Sequence, residues 1–233
     1  MALFSYQNHT AMQDVTGDDT GYLPHVENTV EKLSQLHEKL YPQLINHGLD
    51  LYPSKKQMNV VFESASTSTK RGVIALQYMR THSQAIRVER LMGRDETSNN
   101  GIESRRHPTI EVRLTPEHLT VELILSPYAW WDQQNFVGKL SIDRHHTRFY
   151  ELLKKLDGET KVGYWRGVQL DEMYVKVDQL YRQHIWDEWI STFDAGKDWF
   201  RVGVWYTPES EALSQENILA ELVGQIRGLY TIY

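Results

Sequence analysis

The amino-acid sequence predicts an α+β fold: a single domain, mostly antiparallel sheet, with helices packed on one face. Three observations carry this. Period-two apolar alternation clusters in the first half of the chain, and three-to-four-residue periodicity dominates the second. Thr109–Leu114 and Leu119–Leu125 form a clean alternating pair around Thr115-Pro116-Glu117-His118, which is a hairpin signature. No internal repeat and no linker rich in Pro or Gly divides the chain. A doubly wound fold would instead alternate strand and helix throughout.

The elements follow in order. Residues 1–21 are polar and end in Gly17, Asp18, Asp19 and Gly21, which predicts an irregular N-terminal arm, with residues 22–233 forming the single domain. Val26, Val30, Leu33, Leu36, Leu40 and Leu44 make one apolar helical stripe, with Glu27 and Glu31 suited to the N-terminal dipole and Gly48 as a stop. Met58, Val60 and Phe62 alternate as a strand, residues 64–69 read as a Ser/Thr loop, and residues 73–79 as a central strand. In residues 84–92, Ile86 and Val88 alternate with Arg87 and Glu89, which favours a further strand. Residues 93–108 form the longest polar stretch, a loop of a length that is usually functional or mobile. After the hairpin, Trp131 to Leu140 and Phe149 to Leu156 read as two short helices, and residues 162–168 as a strand. Val177, Leu180, Tyr181, Ile185 and Trp189 predict one long helix. Phe200, Val202, Val204 and Tyr206 alternate in a late strand with Trp199, Arg201 and Trp205 on its other side, and Ser214 caps a final helix.

Composition narrows the function. The 233 residues contain no cysteine, which excludes a disulfide framework and a zinc ribbon or finger. No apolar run reaches the roughly 20 residues that span a bilayer, and residues 1–21 lack the layout of a signal peptide. The expectation is a soluble, cytoplasmic protein that does not engage membranes. The net charge of −6 argues against a general polyanion binder. The charge is uneven, however: residues 55–113 carry 11 basic against 6 acidic residues, and the remainder carries 14 against 25.

There is no Gly-rich dinucleotide fingerprint, P-loop, His-Glu-x-x-His or nucleophile elbow. No cofactor or metal is called for, and no catalytic residue is assigned. The first candidate constellation is Arg87, Arg90 and Arg94 before the long loop with Arg105, Arg106 and His107 at its end. Guanidinium groups grip phosphate or carboxylate with forked hydrogen bonds, so a loop flanked by two such clusters suits an anionic ligand or nucleic acid. The second is Asp143-Arg144-His145-His146 with Arg148, where adjacent histidines diverge on a helix and Asp143 serves as an N-cap. The third is His184 with Asp187 and Glu188, on one helical face but short of further ligands. Glu111-Val112-Arg113 after Asp95 is a distant echo of a metal-dependent nuclease strand, in which Lys normally stands where Arg113 does. The last is aromatic: of seven Trp, Trp130 and Trp131 are adjacent and cannot both point inward on one helix, which sets a partner interface, or a pocket that stacks a planar ligand, against a Trp-rich core.

The order of elements over roughly residues 22–160, with Lys70-Arg71-Gly72 before an apolar strand, then residues 119–127 and Val137-Gly138-Lys139-Leu140, resembles the YktB-like family of bacterial α+β proteins. That family is uncharacterised, so the resemblance implies a fold and a bacterial origin but no activity. The reading from the residues is a non-catalytic binding or accessory protein. It holds a partner protein, a second copy of itself or an anionic ligand through an aromatic surface and the Arg-flanked loop. The alternative is a nucleic-acid binder or processor built on residues 55–113.

Overall fold

A computed structural model describes residues 2–15, 24–54, 60–66, 72–93, 102–165, 174–180 and 182–233. It shows a single α+β arrangement. Helices α1 (Tyr6–Thr10), α2 (Pro24–Asn46), α3 (His82–Leu91), α4 (Trp130–Leu140), α5 (Asp143–Leu153), α6 (Gln183–Ile190) and α7 (Ile218–Tyr230) accompany one sheet. The strands are β1 (Tyr52–Pro53), β2 (Ile74–Met79), β3 (Thr109–Leu114), β4 (Leu119–Leu125), β5 (Lys161–Trp165), β6 (Tyr174–Lys176) and β7 (Trp199–Tyr206). The order across the sheet is β1-β2-β3-β4-β7-β5-β6, and every pair is antiparallel.

Register explains the core. Val112 lies opposite Val121, which lies opposite Val204; Leu123 lies opposite Val202, which lies opposite Val162. Alternation therefore puts a continuous band of aliphatic side chains on one face. Leu33, Leu36, Leu40 and Leu44 of α2 and Leu222, Val223, Ile226 and Leu229 of α7 are buried in the same core. Further along the face, Phe136 of α4 and Phe149 of α5 meet each other and Phe200 of β7, with ring centroids 5.0 to 6.2 Å apart. Trp186 of α6, fully buried, closes this aromatic corner against Phe149 at 5.7 Å.

The structure departs from the sequence reading at several points. Residues 82–91 are helix α3, not a strand. Thr81 Oγ1 accepts from the Gln84 amide while the Gln84 side chain accepts from the Thr81 amide, a capping box that starts the helix. Gly93, at φ 78°, stops it. Only Ala85 and Glu89 of α3 are buried, so the apolar alternation at Ile86 and Val88 marks no core face. The arm is ordered over residues 2–15: Phe4, Met12 and Val15 are buried in the core, too sparse to show a periodicity. Asn8 donates to Thr29 at 2.8 Å, and a His9 ring nitrogen meets the Thr115 carbonyl at 2.8 Å, which docks α1. The long helix through Val177 is instead β6, a single 3-10 turn and the shorter α6, because Leu180 leaves the helical region at ψ 43°. The last helix starts at Ile218 rather than at Ser214, and Ile142, not Asp143, is the N-cap of α5. The expected strand around Met58 is not formed where it is described: Val60 and Phe62 lie in bends on either side of Val61, which makes an isolated bridge to Ala75, while Met58 itself, the Lys70-Arg71 pair and residues 94–101, with Arg94, lie outside the described residues. Among the described residues no helix is long and apolar enough to cross a membrane.

Candidate functional site

The capping box that starts α3 aims the helix so that Gln84, Arg87 and Val88 face the end of β2. There they line a cavity of about 340 Å³ together with Arg80, Pro108, Asp132 and Tyr233. Arg80 and Asp132 form an ion pair at 2.5 Å across its wall. Arg87, exposed at the mouth, has no ion-pair partner among the described residues. A second cavity of about 240 Å³ adjoins it. It shares Pro108, Asp132 and Tyr233 and is otherwise lined mainly by Leu123, Leu125, Phe136, Phe149, Leu152 and Phe200, with Lys139, His145 and Arg148 also in its lining.

The electrostatics at the shared wall are unbalanced. Burial raises the Asp132 pKa, and Arg80 only partly offsets this. One Asp132 oxygen binds Arg80; the other, Oδ2, is buried without a hydrogen-bond partner. The Tyr233 hydroxyl is buried beside Arg80, and burial pushes its pKa up to about 12 against the opposing pull of that arginine. Unpaired buried carboxylate oxygens are rare in folded proteins, and Asp132 Oδ2 marks a place where a donor is wanted.

The structure brings some of the Arg-flanked loop to this place. Arg87 lines the cavity, and His107 is fully buried directly before the lining residue Pro108. Arg106 pairs with Glu89 of α3 at 2.9 Å, so its charge is spent in tying the loop to that helix. His107 Nε2 lies 3.4 Å from the same carboxylate. That contact favours a charged imidazole, but Glu89 is already shared with Arg106. Complete burial and the nearby Arg80 and Arg106 outweigh it, and His107 is held neutral with its pKa lowered to about 3. Arg90 is exposed on the outer side of α3. Arg105 faces away, with its guanidinium 5.3 Å from the Tyr128 ring centre.

The predicted aromatic surface lies beside Arg105. Trp130 is 43% exposed and packs edge-on against Trp131 at 5.9 Å, and Tyr128, also exposed, packs edge-on against Trp199. The other tryptophans differ: Trp186 is core, and Trp205 lies on the opposite sheet face.

That opposite face holds a buried ionic network. Glu111 and Glu122 stand directly across from one another on β3 and β4, an arrangement that is repulsive unless each is compensated. Glu111 accepts from the Ser64 hydroxyl, the Ala65 amide, Gln77 and Arg113. Glu122 accepts from Arg113, Arg201 and the Trp205 indole. Burial alone would raise the Glu122 pKa, but Arg201 and Arg113 overcome this and hold it below the usual carboxylate range. Gly203 makes room for it: a Cβ there would stand 2.1 Å from the Val121 carbonyl oxygen and 2.6 Å from Glu122 Cγ. The network satisfies its own carboxylates, whereas Asp132 keeps one oxygen unpaired.

The remaining sequence candidates stay apart. His145 lines the apolar cavity, while the neighbouring His146 meets Asp187 at 3.4 Å. His184 and Glu188 are exposed on α6. Arg113 of the Glu-Val-Arg strand is a buried counter-ion to Glu111 and Glu122. Among the described residues no group of three or more His, Asp or Glu can hold a metal ion. Sequence reasoning missed Arg80, Asp132 and Tyr233, which lie at element ends, where no periodicity flags a residue. It also missed the burial of Glu111, Glu122 and Arg201, whose alternation with apolar residues reads as a solvated strand face.

Fold and site together define a one-sheet α+β protein with a charged pocket at the end of its helical face. No protein-family model matches the chain, and no curated protein matches it.

Proposed function

We propose that the protein is a binding protein that holds a small anionic ligand in the cavity between α3, the start of α4 and Tyr233. Arg87 supplies the free positive charge. Arg80, held by Asp132, supplies a second, oriented guanidinium. The carrying observation is that Arg87 lacks a carboxylate partner at a cavity whose other arginine is already ion-paired. Arginine at such a place recognises carboxylate or phosphate through parallel N–H···O bonds. The basic stretch supports this reading better than a nucleic-acid surface, because Arg80, Arg106 and Arg113 spend their charge on Asp132, Glu89, Glu111 and Glu122.

The test is a titration of labelled protein with sodium butyrate, followed through the arginine Nε–H resonances. Saturable shifts confined to Arg80 and Arg87, weakened about tenfold or more by Arg87→Gln, support the proposal. Unsaturable shifts spread equally over the exposed Arg144, Arg148 and Arg87 overturn it.

A further inference from the structure

The two cavities differ in chemistry and share one wall. The first ends in Arg80 and Arg87; the second is aliphatic and aromatic, with Leu123, Leu125 and Leu152 around the rings of Phe136, Phe149 and Phe200. Alone, the apolar cavity of about 240 Å³ falls below the usual size of a small-molecule site; joined to its neighbour of about 340 Å³ it falls within that range. A hydrocarbon body lying against the apolar lining between α4, α5 and the sheet gains dispersion contacts with it and removes apolar surface from water.

Resting on the reading of Arg80 and Arg87 as an anion site, we infer that the ligand is an amphipathic organic acid. Its carboxylate meets Arg87 and Arg80, and its hydrocarbon or aryl body passes Asp132 and Tyr233 into the apolar cavity. Charge and surface both favour this occupant. A purely polar anion leaves the aromatic cavity empty, and a neutral hydrocarbon leaves Arg87 unpaired. The wall between the cavities also selects: the unpartnered Asp132 Oδ2 repels a second carboxylate at mid-chain and accepts from a hydroxyl or ammonium donor there.

The experiment measures dissociation constants by titration for butyrate, hexanoate, octanoate and neutral octan-1-ol. It uses the full chain and its Arg87→Gln, Arg148→Gln and Leu152→Trp variants. The inference expects affinity to rise about fourfold per methylene from butyrate to octanoate. Shifts should appear at the methyls of Leu123, Leu125 and Leu152. Arg87→Gln should weaken the three acids by one common factor and leave octan-1-ol unchanged. Leu152→Trp, if it folds, should flatten the chain-length dependence while butyrate still binds. Acids that bind through Arg87 with no dependence on chain length would overturn the inference and leave the anion site standing. Octan-1-ol binding as tightly as octanoate, with Arg87→Gln inert, would overturn the anion site itself. Loss of acid binding in Arg148→Gln rather than Arg87→Gln would place the head group at Arg148 and overturn both, as would no binding by any of the four compounds.

Discussion

Protonation of the buried His107 sets two physical effects against each other, and stability against pH decides between them. Glu89 at 3.4 Å pulls the imidazole towards the charged form; complete burial, Arg80 and Arg106 push it towards the neutral form. With the second group dominant, the folded-state pKa is about 3 against 6.5 for the unfolded chain. Between these values the unfolded chain binds a proton that the folded chain refuses. Stability is therefore lost as pH falls through this window, by at most about 1.4 kcal/mol per pH unit. Going from pH 7 to pH 5 the loss assigned to His107 is about 2 kcal/mol. His9 and His37, whose pKa values are also lowered by burial, act in the same direction. The assay is urea unfolding of the wild type and His107→Gln at both pH values, because the other histidines cancel in the difference. The wild type should lose about 2 kcal/mol more than the variant. If the wild type instead gains relative to the variant on acidification, Glu89 dominates, His107 is charged in the fold, and the balance argued above is wrong.

Three further outcomes follow from the same geometry. Glu122→Gln leaves Arg113 and Arg201 buried without full compensation and should cost roughly 3–5 kcal/mol in urea unfolding. In the wild type, the Glu122 contribution should be complete above the ordinary value of 4.5 and fade as pH falls through the lower folded-state value; a flat acid limb after subtracting the variant contradicts this. Gly203→Ala drives a methyl into the Val121 carbonyl, backbone that cannot rotate away, and should destabilise by roughly 3 kcal/mol or more; a change below about 1 kcal/mol would show that β4 and β7 are less tightly paired. Trp130→Ala removes an exposed ring and should change unfolding stability by no more than about 0.5 kcal/mol, without altering butyrate binding.

Much of the fold was legible because burial on one sheet face leaves a period of two. The hairpin of β3 and β4 and the stripes of α2 and α7 show their packing directly in residue spacing. α3 was misread because its alternation lies on a half-exposed surface, while the decisive signal was the local Thr81–Gln84 cap. The second sheet face was hidden for a different reason. Charged residues at alternate positions are the normal mark of a wet face, and only three-dimensional pairing of Glu111 and Glu122 with Arg113 and Arg201 shows them dry. At the candidate site, Arg87, Arg106 and His107 were visible as a basic cluster. Their division of labour was not, since it depends on Glu89 claiming Arg106 and on Asp132 claiming Arg80.

The most direct test of the central claim is where a bound acid lies. Intermolecular nuclear Overhauser contacts would be measured between octanoate and protein carrying labelled leucine methyls and arginine side chains. The account predicts that the chain methylenes touch Leu123, Leu125 and Leu152 while the carboxylate end perturbs Arg87 and Arg80. Contacts confined to the exposed aromatic surface at Tyr128 and Trp130, with the Arg87 resonance unmoved, would contradict it.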